Sequence, residues 1–137
     1  MAGFLLDTCV LSETRKRRPN AGVMQFLGEA DAAQLYLSVL TIGEMRKGIA
    51  KKRLTGVDAA DQLAAWAQRI ETDFADRVLS VDVSVARLWG DLSAQGRTPV
   101  IDTLIAATAL MNGLTVVTRN VRDFVASGVP LLNPWTG

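Results

Sequence analysis

The sequence of 137 residues contains no histidine and only one cysteine, Cys9. The absence of histidine excludes a Ser-His-Asp triad, a Cys-His pair, RNA cleavage by paired histidines and a zinc site with histidine ligands. A single cysteine excludes an internal disulfide, which is typical of proteins from a reducing cytosol. The catalytic or metal-binding groups of this chain are therefore carboxylates, lysines or hydroxyls.

Long apolar runs are also missing from the chain. The longest uncharged stretch of the C-terminal half, residues 103–118, is shorter than the ~20 apolar residues that a spanning helix needs. The apolar residues at the N-terminus end at Asp7 and are not preceded by the basic region of a signal peptide. We therefore expect no membrane association and a location in the cytoplasm.

The net charge is only +1, but the charged residues are distributed unevenly. Residues 1–53 contain nine Lys and Arg against five Asp and Glu, whereas residues 54–137 contain six against nine. Clustered basic residues on a neutral protein can bind phosphate groups, and they can equally form solvated helix faces. Charge alone leaves both interpretations open.

Short apolar segments alternate with helical patterns, and the chain has no repeat and no linker rich in Pro, Gly or Ser. Strands are predicted at residues 3–6, 35–38, 78–81, 114–118 and 129–132. Helix starts are predicted at Asn20, Thr41, Asp58, Asp82 and Ile101. At Thr41 the prediction rests on the Thr41-x-x-Glu44 spacing of a capping box. This order predicts a single domain, residues 1–137, of the α/β class: three α/β/α layers around a parallel sheet of four to five strands.

Four acids directly follow a predicted strand or lie in the first turn of a predicted helix: Asp7, Glu44, Asp102 and Asp123. In a parallel sheet the functional cleft lies beyond the carboxyl ends of the strands, so these side chains are expected to converge. Converging carboxylates repel one another unless a cation is present, and Mg²⁺ and Mn²⁺ prefer oxygen ligands. The pattern predicts a divalent metal site, to which Asn120 adds a neutral oxygen.

Each candidate residue also has a purely structural interpretation. Glu44 fits the capping box, Asp102 fits a favourable interaction with a helix dipole, and Asp123 fits a solvated turn. Cys9 fits a small buried apolar side chain. Asp7 is the hardest to explain in this way, because an acid at the end of an apolar strand is partly buried and needs a partner.

Four blocks of residues form one ordered pattern over nearly the whole chain. They are Leu5-Leu6-Asp7-Thr8-x-x-Leu11-Ser12, Ser38-x-x-Thr41-x-x-Glu44-x-x-x-Gly48, Ile101-Asp102-x-x-Ile105-Ala106-Ala107-Thr108-Ala109, and Val117-Thr118-Arg119-Asn120-x-x-Asp123-Phe124 followed by Leu132-Asn133-Pro134-Trp135. Together they resemble the PIN-domain toxins of VapC type, most closely the FitB-like branch.

The resemblance implies a PIN fold and a Mg²⁺- or Mn²⁺-dependent endoribonuclease, the toxin of a bacterial type II toxin-antitoxin system. Its expected partners are RNA, a VapB-type antitoxin encoded beside it and a second copy of the chain, with a larger assembly formed with the antitoxin. Asp7, Glu44 and Asp102 match three acids of the family. The fourth position is open between Asn120 and Asp123, and so is the number of metal ions.

Two further groups of side chains are predicted to support the acids. Three hydroxyls close to them in sequence are candidates to orient water or a carboxylate, with hydrogen bonds to the backbone as the structural alternative: Thr8, Ser12 and Thr118. Four bases on the Glu44 helix are candidates to guide the RNA backbone, with a solvated helix end as the alternative: Arg46, Lys47, Lys51 and Lys52.

Two other functions fit part of the pattern. A phosphatase of the haloacid dehalogenase kind also has an Asp after its first strand, but it requires a second Asp where this chain has Cys9. A PIN-fold protein with weakened catalysis, acting as a binding partner, stays open because Asn120 stands where an acid is common.

Overall fold

A computed structural model describes residues 3–136 of the chain. These residues contain one parallel five-stranded sheet. The strands are β1 (Phe4–Leu6), β2 (Leu35–Ser38), β3 (Val78–Leu79), β4 (Thr115–Val117) and β5 (Leu131–Leu132). Their order across the sheet is β3-β2-β1-β4-β5. The predicted parallel sheet is therefore confirmed.

Six helices cover the two faces of this sheet. They are α1 (Thr8–Glu13), α2 (Ala21–Glu29), α3 (Val39–Arg53), α4 (Val57–Asp73), α5 (Val83–Ser93) and α6 (Val100–Met111). Short 3₁₀ turns lie at Ala32–Gln34, Val121–Asp123 and Val125–Ser127. Within residues 3–136, none of the helices combines the length and the apolar character needed to cross a membrane.

The central strands supply two separate cores because successive strand residues point to opposite faces of a sheet. Leu6 and Val117 pack on the face that carries α1, α2, α3 and α4. Leu5 and Val116 pack on the other face, against α6 and Phe124. This alternation produces the three predicted layers.

The chain reverses its direction across the sheet between β1 and β4. It moves outward from β1 through β2 to β3, and then returns to β4 on the other side of β1. Leu6 of β1 lies beside Val117 of β4, and the backbone N–H of Asp7 donates to the Val117 carbonyl over 3.0 Å. Asp7 and Thr118 therefore sit at the switch point, where open parallel sheets form their clefts.

The start of α3 differs from the prediction. The helix begins at Val39, and the Ser38 hydroxyl caps it by accepting from the Leu40 N–H over 3.0 Å. The predicted capping box of Thr41 and Glu44 is therefore wrong, because Ser38 at the end of β2 already supplies the cap. Glu44 lies in the second turn, where it is not needed to begin the helix.

Other boundaries differ by a few residues. Helix α4 begins at Val57 after Gly56, without a side-chain cap, rather than at Asp58. Strands β3 and β5 are shorter than predicted because each lies at an edge of the sheet and pairs with one neighbour. The predicted caps of α2 and α5 are confirmed: Asn20 accepts from the N–H groups of Gly22 and Val23, and Asp82 accepts from Val85.

The packing of the C-terminal segment on α2 predicts opposite effects for two identical substitutions in that helix. A Cβ atom at Gly22 would lie 2.2 Å from the Pro134 carbonyl oxygen, whereas a Cβ atom at Gly28 meets nothing within 4 Å. We expect Gly22→Ala to lower the melting temperature, because backbone atoms must shift to relieve the clash. Gly28→Ala should raise the melting temperature, since alanine is favoured over glycine in a helix by about 1 kcal/mol.

Thermal melts of both variants and the wild type test this contact, with Gly28→Ala as the matched control. Equal melting temperatures for the two variants would show that the C-terminal segment does not lie against the start of α2.

Candidate functional site

Asp7 stands between β1 and α1 and is only 6% exposed. Its Oδ1 accepts the backbone N–H of Thr8 over 2.9 Å, which caps α1. Its Oδ2 accepts the Thr118 hydroxyl over 2.8 Å. Hydrogen bonds to both oxygens offset the cost of burying a carboxylate, so the partner that Asp7 requires is present.

Thr118 connects Asp7 to the loop that follows β4. Its side chain is fully buried, and its hydroxyl accepts the backbone N–H of Asn120 over 2.9 Å while donating to Asp7. One hydroxyl therefore fixes the position of both the acid and the loop. These hydrogen bonds are compatible with the predicted orienting role of Thr118.

Cys9 also lies against this pair, a contact that the sequence interpretation missed. Its Sγ is 3.6 Å from Asp7 Oδ2 and 3.7 Å from Thr118 Oγ1. Burial and the neighbouring Asp7 raise the pKa of the Cys9 thiol. A neutral thiol donates to a carboxylate and is a poor nucleophile, so Cys9 packs against and supports Asp7. The only sequence signal was its position two residues after Asp7.

Glu44 is connected to the same edge through Thr8. The Thr8 hydroxyl donates to Glu44 Oε1 over 2.6 Å and lies 3.5 Å from the buried hydroxyl of Thr41. The backbone N–H of Thr8 binds Asp7 at the same time. Thr8 therefore bridges two acids that are carried by different elements. Ser12 lies one turn further along α1 and is exposed.

Asp102 is half-buried in the first turn of α6. Burial is the main reason why the pKa of Asp102 is raised to about 6, and repulsion by Asp7, Asp123 and Glu44 adds to it. A helix dipole alone would favour the ionised form and lower the pKa of an acid in this position. The raised pKa shows that burial and the other three carboxylates outweigh the dipole.

Asn120 and Asp123 lie in the exposed loop after β4. The Asp123 N–H donates to the Asn120 carbonyl over 3.0 Å in a 3₁₀ turn. Asp123 is near enough to raise the pKa of Asp102. The structure therefore brings both candidates for the fourth position to the same edge as the other acids.

The donor set at this edge fits a hydrated divalent cation. Among residues 3–136, no three acidic or cysteine side chains are grouped closely enough to enclose a metal ion by themselves. Mg²⁺ does not require such a cage, because it keeps several waters and binds through one or two carboxylates. Burial accounts for most of the raised pKa of Asp102, and repulsion by the other carboxylates adds to it; a bound cation would relieve that repulsion.

A groove of about 530 Å³ lies along α3 and includes Glu44. Its lining residues are Val39, Leu40, Gly43, Glu44, Lys47, Gly48, Lys51 and Ile101. Of the four bases predicted to guide RNA, this groove includes Lys47 and Lys51. Arg46 instead forms a salt bridge of 3.0 Å with Glu71 of α4. Lys52 is exposed but does not line the groove.

Comparison with known proteins places this site in a family. The chain is 38% identical to the plasmid stability protein StbB of Pseudomonas syringae pv. tomato, over 96% of this chain and 98% of that protein. It is 36% identical to the VapC ribonuclease Y4jK of Sinorhizobium fredii, over 96% of this chain and 97% of that protein. A crystal structure of FitAcB from Neisseria gonorrhoeae superposes with a TM-score of 0.87 and 33% identity, covering 96% of this chain and 98% of that one.

The family profile described as PIN domain matches residues 4–126. This range begins at the first residue of β1 and contains all four acids and both hydroxyls that bind them. The fold, the relatives and the matched range agree, and the chain belongs to the PIN domain family.

Proposed function

We propose that this protein is a Mg²⁺- or Mn²⁺-dependent endoribonuclease that hydrolyses RNA phosphodiester bonds as the toxin of a bacterial type II toxin-antitoxin system. The observation that supports the proposal is that Asp7, Glu44 and Asp123 lie near enough to Asp102 to help raise its pKa, at the edge of the sheet where β1 and β4 end. Thr118 and Thr8 fix two of these acids, and Asp102 lies within the electrostatic field of the other three. The names of the curated relatives, which include a VapC ribonuclease and a toxin, support the same function.

Asp7, Glu44 and Asp102 would hold the hydrated cation, some of them through its retained waters, with Asn120 or Asp123 completing the set. A bound divalent cation supplies Lewis acidity, which activates water for attack on phosphorus and offsets the negative charge that builds up there. The chain has no histidine, so proton transfer falls to water and carboxylates. The hydroxyls of Thr8 and Thr118 orient the carboxylates of Glu44 and Asp7, and Ser12, exposed one helical turn after Thr8, is the candidate to orient water.

Lys47 and Lys51 line the groove beside Glu44 and are placed to bind the RNA backbone. Lys52 extends the same basic helix end, whereas Arg46 contributes to RNA binding only if it leaves Glu71. A cytoplasmic location gives such an enzyme access to RNA.

A VapB-type antitoxin is the proposed inhibitor, and the active unit is proposed to be a homodimer that forms a larger assembly with it. An antitoxin arginine that binds the carboxylates in a bidentate manner would compete with the cation for the same oxygens. The name of the relative in Neisseria gonorrhoeae, toxin FitB, supports an antitoxin partner for this chain.

The alternative of a catalytically weakened binding protein has one observation in its favour, the exposed amide of Asn120 in place of an acid. Asp123 lies three residues further in the same loop and influences Asp102. We therefore favour the enzyme.

Cleavage of bacterial RNA by the purified protein tests the proposal. We expect activity in Mg²⁺ or Mn²⁺, none in excess EDTA, and a loss of more than about 100-fold in Asp7→Asn. Asparagine is as good a helix cap as aspartate, so this variant keeps the cap of α1 but loses the charge. Asp82→Asn is the matched control, because Asp82 caps α5 in the same way and should remain fully active.

Cleavage that persists in excess EDTA and is equal in the wild type and in Asp7→Asn would contradict the proposal. Cleavage lost equally in Asp7→Asn and Asp82→Asn would assign Asp7 to folding rather than to the active site.

The raised pKa of Asp102 predicts how stability depends on pH and on metal. The folded-state pKa of Asp102 is about 6 against an ordinary value of 3.8, so the contribution of Asp102 to stability is highest below about pH 4 and is lost as the pH rises through about 6. At neutral pH in EDTA, Asp102→Asn should therefore raise the melting temperature. Solvent screening of a half-exposed group reduces the effect to about 1 kcal/mol, or roughly 3–5 °C.

Thermal melts with EDTA and with Mn²⁺ measure this effect. Mn²⁺ should stabilise the wild type more than Asp102→Asn, because ligand binding stabilises the folded state by mass action. The advantage of Asp102→Asn in EDTA should disappear below about pH 4. If Asp102 is instead an ordinary residue of a helix first turn, Asp102→Asn destabilises the protein in EDTA and Mn²⁺ does not shift the wild-type melt.

A further inference from the structure

Two arginines, Arg119 and Arg122, lie in the loop after β4, interleaved with Asn120 and Asp123. Both are exposed, and the loop encloses a hollow of about 450 Å³ lined by residues 119–123. We call these two residues the arginine rim. Neither arginine has a role in the function proposed above.

In the part of the chain that the structure describes, the guanidinium groups of the arginine rim form no salt bridge with a carboxylate. In residues 3–136, the salt bridges involve Lys16, Arg46, Arg53 and Arg77, but neither arginine of the rim. Asp123 is adjacent in sequence to Arg122 and still forms no salt bridge with it. An exposed arginine without a carboxylate partner keeps its planar set of donors available for a phosphate.

Arg119 is also held in a defined direction. Its guanidinium lies over the Trp135 ring at 5.7 Å from the ring centre. Trp135 is itself partly buried against the hydrophobic core, and its backbone N–H donates to Asn133 Oδ1 over 3.0 Å. A stacked guanidinium loses less side-chain entropy when it binds an anion than a free one does.

The strand order places the arginine rim and the α3 lysines on opposite sides of Asp7. Asp7 follows the central strand β1, α3 with Lys47 and Lys51 follows β2 on one side, and the arginine rim follows β4 on the other. The loop is connected to Asp7 through Thr118, because the Asn120 N–H donates to the Thr118 hydroxyl that holds Asp7.

The negative charge of the four acids explains why basic side chains are needed on both sides of them. Four carboxylates repel a polyanion, and a bound divalent cation offsets only part of their charge. A phosphodiester chain that crosses the acids therefore needs positive groups on either side of them. Arginine suits this position because its planar fork binds phosphate oxygens in a bidentate manner.

We propose that Arg119 and Arg122 bind backbone phosphates of single-stranded RNA, so that the RNA crosses the four acids between the arginine rim and Lys47 and Lys51 of α3. This inference rests on the proposed function and adds the path of the substrate to it.

The test measures the salt dependence of RNA binding in the Asp7→Asn background, which holds RNA without cutting it. The probe is a short, labelled, single-stranded RNA of mixed sequence, measured by fluorescence anisotropy in Mn²⁺ over a series of salt concentrations. We expect Arg119→Gln with Arg122→Gln to weaken binding and to reduce the slope of log K against log salt by about 1.4, or ~0.7 for each lost phosphate contact on a single strand.

The matched control is Arg69→Gln with Arg87→Gln, which removes the same charge from exposed positions on α4 and α5. It should leave the slope unchanged. Calorimetric titration with Mn²⁺, carried out with Asp7 intact, should give the same affinity with and without the substitutions in the arginine rim, because these residues bind RNA and do not position the acids.

The outcomes separate this inference from the proposed function. An equal slope in the rim variant and in the control would overturn the inference, while RNA cleavage by the wild type would still support the enzyme. A slope that depends on the arginine rim, together with no RNA cleavage by the wild type, would overturn the proposed function and retain the RNA path. Weaker Mn²⁺ binding in the rim variant would assign the arginines to the geometry of the acids and contradict the inference.

Discussion

The hydrogen bond from Thr118 to Asp7 joins the ends of two strands that are 111 residues apart in sequence. It is possible only because β1 and β4 are parallel neighbours in register, with Leu6 beside Val117. A parallel sheet is stable only when helices cover both of its faces. Successive residues of β1 and β4 pack against helices on opposite faces, so these two strands meet that requirement. The site therefore depends on long-range packing, and Thr118 places both the central acid and the loop that carries Asn120 and Asp123.

The carboxylates of the site also repel one another. Asp102 has a raised pKa because it is partly buried among other carboxylates, whereas a helix dipole by itself favours the ionised form of an acid in the first turn. The fold tolerates this cost because Asp7 and Glu44 receive hydrogen bonds from Thr118 and Thr8. An edge that is rich in carboxylate oxygens, with cations on either side of it, suits a divalent cation and a phosphodiester together. The chemistry follows from this arrangement and needs no histidine.

Much of the fold and of the acid site is predictable from sequence, because strand ends and helix starts are local features and in a parallel sheet they share one edge. Asp7 and Asp102 follow from that rule. The capping box was wrong because Thr41 and Glu44 have the correct spacing but Ser38 lies closer to the start of the helix. The salt bridge of Arg46 depends on where α4 packs, which helix periodicity does not reveal. Arg119 and Arg122 were missed because they lie in the half of the chain with net negative charge.

The most direct test of the account is a titration of Mn²⁺ into the metal-free protein, followed by electron paramagnetic resonance or calorimetry, for the wild type and Glu44→Gln. Glu44 lies on α3, away from the strand that carries Asp7. Removing its charge lowers the Mn²⁺ affinity only if Glu44 and the other acids belong to the same metal site. The account predicts that the wild type binds Mn²⁺ and that Glu44→Gln binds it at least about tenfold more weakly. Equal Mn²⁺ affinity in the two proteins, or no binding by the wild type, would contradict the claim that these acids form one metal site.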